Sequence, residues 1–335
     1  MVSRPHTQRW VLSIGCLGAL AVAVGQASAQ TTAVAAGTAD DTIVSLADGR
    51  KLHLKCAGEG HPTVILDAGL GLDSSVWMRV QPALAAITRT CAYDRAGYGQ
   101  SDPGPLPRDT AGRTSDLVAL LDAMAERAPF VLVGHSAAEL TARLAATGRP
   151  DIVAGLVLVD PGADLETLQA LGPVWAAAHD AGQSAALTCI RATAADEMRP
   201  GNAIYVECGS PPVGSRMASR EMAVAVLSEN EPDSDSGSQT PVSLGDTPLI
   251  VLTAANKFGE NEGAAPGESQ PLRQVWAEAG ARIAGSSTRG EQRLVADASH
   301  IIQFEQPQAV IDAVRDVVRE VRAGGRGEPS VSAQR

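Results

Sequence analysis

Short apolar runs and stretches of helical period succeed one another along most of this chain. Residues 42–46 and 51–56 alternate apolar and polar positions around Asp48-Gly49, which predicts a β-hairpin. Residues 63–66 form a brief apolar run that stops at Asp67-Ala68-Gly69-Leu70-Gly71. Residues 76–87 have helical spacing, 90–93 read as a strand, and the Gly-rich turn "DRAGYGQSDPGP" follows. A helix at 114–125, a strand at 130–133, a helix at 137–146 and a strand at 153–159 come next. The alternation breaks over 161–246, which holds helical pieces and the acidic stretch "SENEPDSDSGSQTP". It resumes with a strand at 248–253, a helix at 271–281, a strand at 293–296 and a helix at 307–322. Apolar strands alternating with helices imply a mostly parallel sheet covered on both faces. The expected architecture is one α/β domain, residues 42–160 and 247–322, interrupted by an insertion at 161–246. The part after 247 is too short to close a core alone, which disfavours two consecutive domains. Residues 30–41 read as a flexible leader and 323–335 as a frayed tail.

Composition narrows this picture. Of 335 residues, 44% are apolar and only 3% aromatic, so a large core must be built mainly from Ala, Val, Leu and Ile. The formal charge of -11 argues against nucleic acid and anionic membranes as partners, since both need a positive face. Arg4 and Arg9 precede an apolar run over residues 10–24, and Ala27-Ser28-Ala29 then offers a small-x-small cleavage site. This reads as a secretory signal peptide, residues 1–29, too short in its apolar part for a stable membrane span. The mature chain is therefore expected in the periplasm or outside the cell. Export changes the meaning of the cysteines: Cys56, Cys91, Cys189 and Cys208 remain, an even number in an oxidising compartment. Three pairings are open, and spacing and context favour Cys56–Cys91 with Cys189–Cys208. None has metal-site spacing, so no metal is implied.

The chemistry concentrates at "VLVGHSAAEL". A serine on a turn from a buried strand into a helix presents its hydroxyl at the C-terminal edge of a sheet. Strand and helix nearly touch at such an elbow, so small residues are needed two positions either side, here Gly134 and Ala138. An ordinary helix N-cap is the plainer alternative for Ser136. A nucleophilic serine needs a base from a loop after a later strand. Among the six histidines, His300 in "LVADASH" fits, between a strand and the final helix. His135 is expected to point away from the hydroxyl of Ser136. Two N–H donors for an oxyanion are expected from Ala137 and from Leu70 in Gly69-Leu70-Gly71.

Taken together, "LDAGLGLDSSVW", "CAYDRAGYGQSDPGP", "VLVGHSAAELTARLAA", "VAGLVLVDP", "TPLIVLTA" and "ASHIIQFEQPQAVIDAV" resemble the α/β-hydrolase superfamily in content and order, over residues 42–322. The resemblance implies an eight-stranded, mostly parallel sheet with a mainly helical lid inserted after the sixth strand, where 161–246 falls. It also makes the second and fourth strands neighbours, which supports a Cys56–Cys91 bond. The family's acid commonly follows the seventh strand, but "AANKFGENEG" there holds no Asp. Some members place it after the sixth strand, where Asp160 stands; Glu260 and Glu262 are the alternatives. The Ala137-Ala138-Glu139 run departs from the bulky residue and two glycines usual after the serine. Glu139 suits the helix dipole, or sits near the pocket and disfavours anionic substrates. Asp94 and Arg95 are expected to form a structural pair, and the acidic run at 229–246 a solvated linker.

The reading is an exported serine hydrolase that cleaves a carboxylic ester of a small-molecule acyl substrate, with Ser136, His300 and Asp160 as its triad and no cofactor. Amide hydrolysis, acyl transfer or C–C cleavage on the same triad, and a non-catalytic binding protein on the hydrolase fold, stay open. With Trp175 and Tyr205 its few aromatics, the insertion is expected to form an aliphatic mouth. Oligomeric state is not legible.

Overall fold

A computed structural model describes residues 40–162, 188, 190–195, 220–229, 242–256 and 269–324. The strands are β1 (Asp40–Ser45), β2 (Lys51–Ala57), β3 (Thr63–Asp67), β4 (Thr90–Tyr93), β5 (Phe130–His135), β6 (Val153–Val159), β7 (Leu249–Ala254) and β8 (Gly290–Val295). They form one eight-stranded sheet in the order β1-β2-β4-β3-β5-β6-β7-β8. β1 and β2 make the expected antiparallel hairpin, and β2 is antiparallel to β4. From β4 onward every pairing is parallel. The principal helices are α1 (Gln81–Ala85), α2 (Thr110–Ala123), α3 (Ala138–Gly148), α4 (Arg220–Glu229), α5 (Ser269–Ala284), α6 (Ile302–Glu305) and α7 (Pro307–Gly324).

Period-two alternation sorts the core into two layers. Phe130 and Leu132 of β5, with Leu156 and Leu158 of β6, face the side covered by α2 and α3. Val131, Val133, Val157 and Val159 face the side covered by α1 and α7. On α7 the buried positions are Val310, Ile311, Ala313, Val314, Val317 and Val318, one face of a 3.6-residue helix. Each such fully buried aliphatic side chain is worth about 1.5–3 kcal/mol, so the sheet is gripped from both sides. At Gly155 the helix comes so close that an added Cβ would lie 2.5 Å from a Val317 methyl.

Cys56 and Cys91 are register partners on β2 and β4, and their sulfurs are bonded. Cys189 and Cys208 lie outside the described residues, as do Glu260, Glu262, Trp175 and Tyr205. Much of 161–246 also lies outside them, so the insertion is described through α4 and short flanks. β1 begins at Asp40, two residues inside the expected leader. The single helix expected at 76–87 is instead a 3₁₀ turn, Ser74–Trp77, followed by α1. Pro82 sits in the first turn of α1, where its missing N–H is harmless but cannot continue an earlier helix. The last helix runs to Gly324. Among the described residues no helix is long and apolar enough to cross a membrane.

Strand order reverses direction at β3, whose neighbours are β4 and β5. The connections from β3 to β4 and from β5 to β6 run to opposite sides, which makes the C-terminal rim between β3 and β5 the topological switch point of the sheet.

Candidate active site

Ser136 sits on the turn between β5 and α3 with φ 52°, a left-handed conformation unfavourable for any residue with a Cβ. Two observations explain how the turn is held. The Ser136 N–H still donates to the Val159 carbonyl at 3.1 Å, extending the β5–β6 ladder. Gly134 faces α3 so closely that an added Cβ would lie 2.8 Å from the Ala138 carbonyl oxygen. Only glycine fits at 134, whereas the buried Ala138 is accommodated.

The Ser136 Oγ lies 2.8 Å from His300 Nε2. His300 Nδ1 lies 2.6 Å from Asp160 Oδ2. Asp160, at the end of β6, is wholly buried, while the His300 side chain is 31% exposed. The other carboxylate oxygen, Oδ1, accepts from the Ala254 N–H at 3.0 Å and the Trp276 indole N–H at 3.1 Å. A buried carboxylate needs such donors, and these also fix its orientation toward His300. The structure brings Asp160 to the histidine, while Glu260 and Glu262 lie outside the described residues. Serine, imidazole and carboxylate in this order can move a proton from the hydroxyl to Nε2 while the imidazolium is stabilised from Nδ1.

The loop carrying His300 is itself tethered. Glu305 accepts from the Ser299 N–H at 2.6 Å and from its hydroxyl at 2.7 Å. His135 lies beside the site: its Nε2 is 2.9 Å from the His300 carbonyl oxygen and its ring centroid is 4.8 Å from that of His300. Sequence reasoning passed over Trp276, Glu305 and this role of His135. The only local signal was Glu305, six residues from Ser299 on a short helix.

Ala137 leads into α3 and Leu70 follows β3. The β3 loop presses against the elbow: an added Cβ on Gly69 would lie 3.0 Å from the Ser136 Cβ. Glu139 is buried and paired with Arg143 at 2.6 Å along one face of α3. A neighbouring cation thus offsets the charge through which Glu139 was expected to act on anionic substrates.

The turn after β4 departs from expectation. Asp94 and Arg95 are adjacent in sequence but do not pair. Asp94 bonds His53 and the N–H groups of Ser74 and Gln100. Arg95, 4% exposed, reaches Glu229 of α4 at 3.2 Å and lies 3.6 Å from Asp67. Glu229 opens the run expected to be a solvated linker, yet its side chain is fully buried. Burial weakens the charge on Arg95, but Glu229, then Tyr98 and Asp67, hold its proton more firmly than usual.

Burial pushes the Asp67 carboxyl up to about 6, against the opposing pull of Arg95 and a hydrogen bond from Tyr93. The folded protein thus keeps a proton that the unfolded chain loses near pH 4. Stability from this group is complete below pH 4 and is lost as pH rises through 6, on the order of 3 kcal/mol in all. Asp67→Asn removes that slope. In denaturant titrations at pH 4 and pH 7, the stability of the variant relative to the parent should rise by that amount. An unchanged difference would mean that Asp67 titrates alike in the folded and unfolded chain.

Among the described residues no group of three or more His, Cys, Asp or Glu is placed to hold a metal ion. The sheet, the flanking helices and the position of Ser136 define the α/β-hydrolase fold. The alpha/beta hydrolase family profile matches residues 64–313, and the chain belongs to that family. The chain is 32% identical over 111 residues to "Karrikin insensitive 2 receptor B" of Petunia hybrida, 32% of this chain and 40% of that protein. It is 39% identical over 103 residues to "Putative carbamate hydrolase RutD" of Klebsiella pneumoniae, 30% of this chain and 38% of that protein. The similarity thus spans about two fifths of these relatives' length. A thermophilic esterase from Thermogutta terrifontis superposes with a TM-score of 0.57 at 22% identity, over 84% of this chain and 99% of that one, a likeness of fold.

Proposed function

We propose that this protein is an exported serine hydrolase that cleaves carboxylic esters through an acyl-enzyme. The observation that carries the reading is the continuous chain from Ser136 Oγ to His300 Nε2 at 2.8 Å and from His300 Nδ1 to Asp160 at 2.6 Å. Ser136 Oγ attacks the acyl carbonyl as His300 Nε2 takes its proton, and the carbonyl oxygen becomes an oxyanion held by the Leu70 and Ala137 N–H groups. The tetrahedral intermediate collapses, and His300 delivers the proton to the departing alkoxide. Water, deprotonated by His300, then attacks the acyl-enzyme; the acid leaves and Ser136 regains its proton. The export part of the proposal rests on the Arg4, Arg9 and Ala27-Ser28-Ala29 signal, and the Cys56–Cys91 bond suits an oxidising compartment.

Ester cleavage is favoured because an alkoxide is a far better leaving group than an amide nitrogen, so this triad suffices without further activation. The test is turnover of p-nitrophenyl esters of increasing acyl length, beside an anilide and a carbamate, with fluorophosphonate labelling of the same preparation. Ester turnover and labelling are the expected result. Folded protein that neither turns over any of these nor takes up the probe would sink the proposal in favour of a binding role.

A further inference from the structure

The buried Arg95–Glu229 pair lies between α4 and the loop after β3, and the preceding mechanism gives it no part. Arg95 Nη1 donates to the Ala68 carbonyl at 2.5 Å and Nη2 to the Gly69 carbonyl at 2.9 Å. The Gly69 carbonyl also accepts from the Leu72 N–H at 3.1 Å. The Gly69–Leu70 peptide is trans, so its N–H points opposite to its carbonyl. Holding the Gly69 carbonyl toward Arg95 therefore aims the Leu70 N–H away from Arg95. Rotating that carbonyl away would cost the buried guanidinium one of its hydrogen bonds.

α4 secures this arrangement at three points. Glu229 binds Arg95 at 3.2 Å and accepts from the Tyr98 hydroxyl at 3.1 Å. The same Tyr98 oxygen accepts from the Gly71 N–H at 3.4 Å, so it joins α4 to the β3 loop directly. The Leu70 side chain packs against the cluster formed by Tyr98, Ile190, Met222, Ala223, Ala225 and Val226, the last four from α4. At Gly97, with φ +86°, an added Cβ would lie 3.1 Å from the Ala225 Cβ, so turn and helix are in contact without a side chain between them.

We propose that Arg95 is a positioning residue for the Leu70 oxyanion donor, and that α4 holds it in place through Glu229 and Tyr98. This rests on the esterase reading above. It assigns α4 a part in the rate of chemistry, distinct from any contact with substrate. Misaiming one of two donors weakens the transition state more than the bound ester, so the loss falls on kcat and not on KM.

The experiment compares the parent with Glu229→Gln, Tyr98→Phe and the double variant. It measures kcat and KM on the best ester, the Ki of phenylboronic acid, and thermal unfolding. The boronate forms a tetrahedral, negatively charged adduct on a serine and so reads the oxyanion site. Each single variant should lose about tenfold in kcat with KM within twofold, and lose boronate affinity by a similar factor. The double variant should lose less than the product of the two, because both act on one loop. Tyr98→Phe removes one oxygen and keeps its packing, so it stands if Glu229→Gln does not fold. An active parent whose folded variants keep kcat and boronate affinity within twofold, or change KM alone, overturns this inference and leaves the esterase reading intact. A parent inactive on esters and unlabelled by fluorophosphonate overturns both.

Discussion

Ser136→Ala is expected to abolish fluorophosphonate labelling and to lower ester kcat by about 10⁴-fold or more. The substitution removes one oxygen from a partly exposed turn and disturbs no core packing. The fold should therefore survive, and the loss would report chemistry. A second substitution separates chemistry from backbone strain. Ser136 has φ 52°, a region that glycine enters freely and alanine does not. Ser136→Gly should be equally inactive yet more stable than Ser136→Ala by about 1 kcal/mol, read from denaturant midpoints. Retained labelling in either variant would place the reactive group elsewhere.

Asp160→Asn is expected to lower kcat/KM by about 10⁴-fold at neutral pH with little change in fold. The geometry specifies the cause. The Ala254 N–H and the Trp276 indole N–H both donate to Oδ1. They would hold the amide oxygen of an asparagine on their side and turn its NH2 toward His300. His300 Nδ1 would then have to accept, which leaves the proton on Nε2, where the Ser136 hydroxyl needs an acceptor. Activity within tenfold of the parent would remove Asp160 from the mechanism and return the choice to Glu260 or Glu262. Rates measured across pH, with labelling kinetics beside them, decide the matter.

The two residues with the clearest signals in the sequence, Ser136 and His300, are those whose roles depend on local pattern and chain order. An elbow needs small residues at fixed offsets, and 134 and 138 supply them. A base must follow a later strand, and 300 does. Asp160 stood among three carboxylates in the sequence because the donors that orient it lie far along the chain. Trp276 is 116 residues away and became visible only when α5 packed beside β7. Adjacent Asp94 and Arg95 looked like a pair, yet consecutive side chains leaving a strand end diverge, and each found partners elsewhere. Glu229 read as the first residue of a solvated run, but Arg95 lies 134 positions away and draws it into the interior.

By itself, then, the sequence determined the alternation of strands and helices, the parallel sheet, the tight turn at Ser136 and the place of His300. These follow from periodicity and from the steric needs of a few neighbouring residues. Only the tertiary structure showed that Asp160 faces the histidine, that His135 and Glu305 hold the histidine's loop, and that Arg95 joins α4 to the β3 loop. Those pairings depend on the directions in which buried polar side chains point once the sheet is covered. A buried charge takes whatever partner the packing brings within about 3 Å, and local pattern carries no information about which one that is.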